Sequence, residues 1–108
     1  MDNIDKRMAE LMGWIIIDDL HVKNEHGEYV FDGTPWQPSQ RIEQAWIIVE
    51  KLREEGFFVC IQGGDDITRN DWWVQIADEE GSVTTRAATA PMAICQAVLK
   101  TKGGEHEI

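Results

Sequence analysis

The sequence predicts an α/β domain of the α+β type, a layered sandwich with helices on both faces of a mainly antiparallel sheet of about four to five strands. Three observations lead there. Apolar residues recur at helical spacing in segments 3–12, 40–55 and 90–102, the stripe of helices that each bury one face. Trp72–Ala77 and Ser82–Ala87 alternate like strands and meet at a turn containing Gly81, which reads as an antiparallel hairpin. Phe57–Gln62 is apolar on both alternating sets of positions, which argues for a central strand with helices over both sides.

Taken in order, Ile4, Met8, Leu11 and Met12 form the stripe of the first helix, and Gly13 ends it, since glycine has no Cβ penalty in the left-handed conformation past a helix C-terminus. Trp14–Ile17 follows as a short apolar strand closed by Asp18 and Asp19. From Leu20 to Trp36 the pattern weakens, although Glu28–Asp32 after Gly27 reads as a short strand or half of a hairpin. Pro35 and Pro38 delimit a loop, and the Ser39 hydroxyl is placed to cap the second helix, whose stripe is Ile42, Ala45, Trp46, Val49 and Leu52 before Gly56. Gly63-Gly64-Asp65-Asp66 breaks the chain after Phe57–Gln62; Trp72, Val74 and Ile76 form the stronger face of the next strand, and Val83, Thr85 and Ala87 alternate in the last. Thr89 caps the third helix and Pro91 fits its first turn. Met92, Ile94, Cys95, Val98 and Leu99 are its stripe, ahead of Gly103 and Gly104. Trp46, Val59, Ile61, Val74, Ile76, Ile94 and Val98 are the expected core. Residues 1–104 are expected to form one domain, and 105–108 a loose tail.

At 108 residues and 43% hydrophobic content the chain has the size and composition of a single globular domain, able to stand without disulfides or metals. No apolar run approaches the roughly 20 residues that cross a bilayer. The N-terminus opens on Asp2, Asn3 and Asp5 rather than on a basic export signal. Cys60 and Cys95 lie in apolar runs without CxxC spacing or a histidine partner, as small buried hydrophobes do. The expected compartment is the cytoplasm, with no membrane partner.

Twenty acids against ten bases give a net charge of −10, and the excess is concentrated. Between Asp18 and Asp32 five acids face Lys23, a net of −4; between Asp65 and Glu80 Asp65, Asp66, Asp71, Asp78, Glu79 and Glu80 face Arg69, a net of −5. Direct nucleic-acid binding is disfavoured, because phosphate contacts need clustered lysine and arginine.

Gly63-Gly64-Asp65-Asp66 resembles a phosphate or cation loop only superficially: no GK[ST] and no DxDxDG rhythm accompany it. Asp18, Asp19, His21 and His26 match no metal-ligand spacing. Ser39 and Ser82 have no nucleophile elbow, and His21, His26 and His106 lie in a loop or the tail. The sequence therefore carries no readable catalytic, metal or cofactor site. Trp72 and Trp73 must point to opposite sides of their strand, so at most one of them is a surface candidate.

Several segments resemble the phage ABA sandwich domain family: Leu11-Met12-Gly13-Trp14; Trp36-Gln37-Pro38-Ser39 with Ile42, Ala45-Trp46 and Val49-Glu50-Lys51-Leu52-Arg53; Gly56-Phe57 with Val59; and Thr89-Ala90-Pro91-Met92-Ala93-Ile94-Cys95 with Ala97 and Leu99. Their order and spacing carry the resemblance. It implies a three-layer helix–sheet–helix sandwich and an origin in tailed phages or prophages of Gram-positive bacteria; it implies no activity. The functional expectation is a non-enzymatic phage or prophage accessory protein, without cofactor, that binds a protein partner. The acidic cluster Asp65, Asp66, Asp71, Asp78, Glu79 and Glu80 is the candidate surface for the basic channel of a host nuclease or defence complex, in the manner of an anti-restriction or anti-CRISPR inhibitor. The alternatives are a small-ligand or nucleotide sequestering protein and a virion or morphogenesis part, with homodimerisation open.

Overall fold

A computed structural model describes residues 2–31, 34–63 and 71–103. It contains three helices, α1 (Asn3–Leu11), α2 (Ile42–Glu54) and α3 (Ala90–Lys102), and five strands, β1 (Ile15–Asp18), β2 (His21–Lys23), β3 (Phe58–Gly63), β4 (Trp72–Asp78) and β5 (Gly81–Ala87). The architecture is α+β and antiparallel, as the sequence predicts, in the form of an open sandwich. Gly13 turns the chain out of α1 with φ +76°, and the Trp14 N–H donates to the Ala9 carbonyl at 2.9 Å, so the Trp14 indole folds back into the core.

The strands divide into two sheets rather than one. β1 pairs with β2, while β3, β4 and β5 form a separate meander with β4 at its centre. β2 occupies part of the stretch where the apolar pattern fades, and the expected strand at Glu28–Asp32 reduces to a single bridge between Lys23 and Tyr29, with Asp32 outside the described residues. Three residues with only Val22 buried are too short a segment to show a period of two.

β3 is therefore an edge strand, which corrects its expected central position. Its inward set, Val59 and Ile61, packs on the core. Its outward set includes Phe58, 61% exposed, and Gln62, and this outer sheet face is largely open, with Thr84 and Arg86 also exposed. Phe58 and Cys60 on that outward set made the pattern look two-sided; Phe57, in the inward set, precedes the strand and packs on the core from the turn after α2.

The inner face carries Val74 and Ile76 of β4, both buried. α3 covers it and packs against β4, β5, α1 and α2, burying seven of its 13 residues. The Thr85 hydroxyl donates to the Ala93 carbonyl at 2.7 Å and ties β5 to this helix. Thr89 caps α3 by accepting the Met92 N–H at 3.4 Å. Ser39 does not cap α2. It lies buried before the helix, its N–H donating to Asp5 Oδ1 at 2.9 Å, and Arg41 occupies the N-cap without a side-chain capping bond.

Of the expected core, Val74, Ile76, Ile94 and Val98 are buried, and Val59 and Ile61 are half-buried against it. Trp46 is a correction: it is 48% exposed. The side of α2 that enters the core is Gln44, Ala45, Ile48, Val49 and Leu52; Ile42 and Trp46 lie beyond its edge, because the apolar arc of this helix is wider than its contact with the core.

Candidate functional site: an apolar cleft between α2 and the sheet

The surplus apolar arc of α2 has a structural consequence. With β3 at the sheet edge, α2 and the inner face of β3 diverge and leave a cleft of about 720 Å³. Ile42, Trp46, Val49 and Arg53 form its α2 wall, and Val59 and Ile61 its floor. Trp72 of β4 and the Ala88–Pro91 turn into α3 close the end. Helical periodicity makes the α2 wall continuous, since positions 42, 46, 49 and 53 lie on one face. The antiparallel register places Trp72 opposite Gly63; a Cβ at Gly63 would stand 3.6 Å from the Trp72 ring, so the indole lies along the glycine backbone. Ile42, Trp46 and Trp72 are 46%, 48% and 40% exposed, an unusual display of large apolar side chains around one concavity. Arg53 and Thr89 are the polar side chains of the lining. The cleft is suited to burying apolar groups.

The acidic residues have a different fate. Asp78–Glu80 gather in the β4–β5 turn, where Asp78 Oδ1 accepts the N–H groups of Glu80 at 2.8 Å and Gly81 at 3.2 Å. Asp71 stands at the other end of β4, about 20 Å away at strand rise, and faces Arg86 at 3.7 Å. Asp65 and Asp66 lie outside the described residues. The structure thus joins three of the six candidate acids and separates the fourth from them.

A second, polar concavity of about 370 Å³ lies between the β2–Tyr29 turn and the opposite side of α2. The Lys51 ammonium donates to Glu25 Oε1 at 2.6 Å across it. That bond holds the Glu25 carboxyl below, and the Lys51 ammonium above, their ordinary values. Asp18 Oδ1 lies 2.7 Å from His21 Nδ1, and this hydrogen bond lowers the Asp18 carboxyl. Among the described residues no group of three histidine, cysteine or carboxylate side chains is placed to hold a metal, and no helix is long and apolar enough to cross a membrane. Cys60 and Cys95 are free thiols, and burial pushes the Cys95 thiol up.

Sequence reasoning missed the cleft. Its signal is the unbroken apolar run Ala45–Val49, which covers more of the helical wheel than one core-facing stripe requires.

No curated protein matches this chain. A crystal structure at 2.0 Å of a phage protein from Bacillus cereus ATCC 14579 is similar to it, with 32% sequence identity and a TM-score of 0.65, covering 93% of this chain and 86% of that one. The sequence pattern of the phage ABA sandwich domain matches residues 9–99. With that match spanning most of its length, and with the open α+β sandwich behind it, the chain belongs to the phage ABA sandwich domain family.

Proposed function

We propose that this chain is a phage or prophage accessory protein that acts by binding a partner protein rather than by catalysis, and that the α2–β3 cleft receives an apolar segment of that partner. The observation that carries the reading is the pair of half-exposed tryptophans, Trp46 on the α2 wall and Trp72 at the end, that line one apolar cleft. Tryptophan is enriched among the few interface residues that supply most of the binding energy, because it buries a large rigid area at small entropic cost.

The acidic-inhibitor reading draws less support. Asp71 and Asp78–Glu80 sit at opposite ends of β4, and Asp78 is engaged in its own turn. Sequestration of a small ligand shares the cleft, whose volume is in the range of such sites, but a wide mouth flanked by half-exposed indoles suits a macromolecular segment better. A photo-crosslinking residue at Ile42, used in phage-infected host cells, separates these readings. The expected result is one protein crosslinked through position 42, lost with Trp46→Ser and kept with Glu79→Gln/Glu80→Gln. Crosslinking indifferent to Trp46→Ser removes the cleft from the function, and capture lost only with the two glutamate changes moves it to the acidic turn.

A further inference from the structure

We infer that the occupant of the cleft is an amphipathic helix of the partner protein that carries lysine or arginine along one flank; the inference rests on reading the cleft as a protein-binding site. Shape is the first argument. Ile42, Trp46 and Val49 stand at i, i+4 and i+7, and the wall from Ile42 to Arg53 runs about 16 Å at helical rise. A second helix laid along it presents apolar side chains at the same spacing, the helix-in-groove mode of recognition.

Charge is the second argument. Glu43 and Glu50 stand three and four residues from Trp46 and are exposed, so they border the apolar wall on its solvent side; Glu50 stands on the ridge shared with the polar concavity, into which Glu54 falls. Arg41 is the partner of Glu43, at 3.9 Å. Among the described residues Glu50 is in no ion pair, whereas the Glu54 carboxylate acts on the Lys51 ammonium. Glu43 and Glu50 thus offer carboxylates beside the apolar wall to a ligand lying in the cleft, and the net charge of −10 draws cationic segments toward it. Arg53, the cationic member of the lining, sits at the far end of the wall and marks where an acidic or terminal carboxylate group of the occupant belongs.

Two fluorescein-labelled helical peptides of about 16 residues test this. Both carry leucine at i, i+4, i+7 and i+11; one has lysine along the flank and the other glutamate. By fluorescence anisotropy at low salt the lysine peptide is expected to bind about tenfold tighter, the sum of two rim ion pairs, and the difference should shrink in high salt. Trp46→Ala should weaken the lysine peptide strongly, and Glu43→Gln/Glu50→Gln should remove only its advantage over the glutamate peptide. Equal, Trp46-dependent binding of both peptides overturns the charge inference and leaves the protein-binding cleft standing. Binding of neither overturns both. A Trp46-dependent dimer in sedimentation that excludes the peptides makes a second copy the occupant. A Trp46-dependent thermal shift with laurate but not with the peptides makes it a small apolar ligand. Either result sinks the proposal.

Discussion

Asp5 is the residue whose physics is least ordinary. It is fully buried on α1; its Oδ1 accepts the Ser39 N–H, its backbone carbonyl accepts Trp36 Nε1–H at 2.8 Å, and Oδ2 has no hydrogen-bond partner among the described residues. Burial raises its carboxyl above the ordinary value of 3.8, so the folded state holds this proton more tightly than the unfolded chain. The contribution to stability is present in full below that ordinary value and is lost as pH rises through the raised one. Asp5→Asn, which keeps an acceptor for Ser39 without a charge, should flatten the curve of stability against pH in this window, as urea denaturation at several pH values will measure; an unchanged slope assigns the dependence to other groups. Trp46 invites a second test. Half-exposed, it should lose less on truncation to alanine, about 1–2 kcal/mol, than fully buried Leu52, for which about 2–5 kcal/mol is usual. A larger loss at Trp46 than at Leu52 in chemical denaturation would put the indole back in the core.

Among elements, α3 organises the rest, because it alone packs on β4, β5, α1 and α2 together. Its sequence suits that position: Ala90, Ala93 and Ala97 are small and buried, so sheet and helices approach it closely, while Ile94 and Val98 fill the space between. The Thr85–Ala93 hydrogen bond is the polar link between this helix and the sheet. Thr85→Val preserves shape and removes the donor, and should cost about 1 kcal/mol, seen as a lower denaturation midpoint at unchanged slope. No loss would mean that the link is replaced elsewhere. α2 differs in kind. Its arc of apolar residues exceeds what α3 and the sheet cover, and the excess faces the cleft.

At the scale of the whole molecule, the sequence by itself determined the helices, the three longer strands and the family. Those depend on local physics: a period of 3.6 in α1, α2 and α3, alternation in β4 and β5, and helix stops at Gly13 and Gly56. The matched bounds of α3, Ala90–Lys102, come from a threonine cap, an early proline and a terminal glycine, all readable in order along the chain. Only tertiary structure decided how the strands divide into sheets, that β3 is an edge, and that Trp46 faces a cleft. An apolar residue on a helix reports that it can be buried, not that a partner element reaches it. Coverage depends on where β3 ends up relative to α2, a contact between segments whose spacing no local period encodes. The acidic residues follow the same logic: Asp71 and Asp78 are close in sequence, yet an extended strand holds them apart, since each residue of β4 adds about 3.3 Å between them.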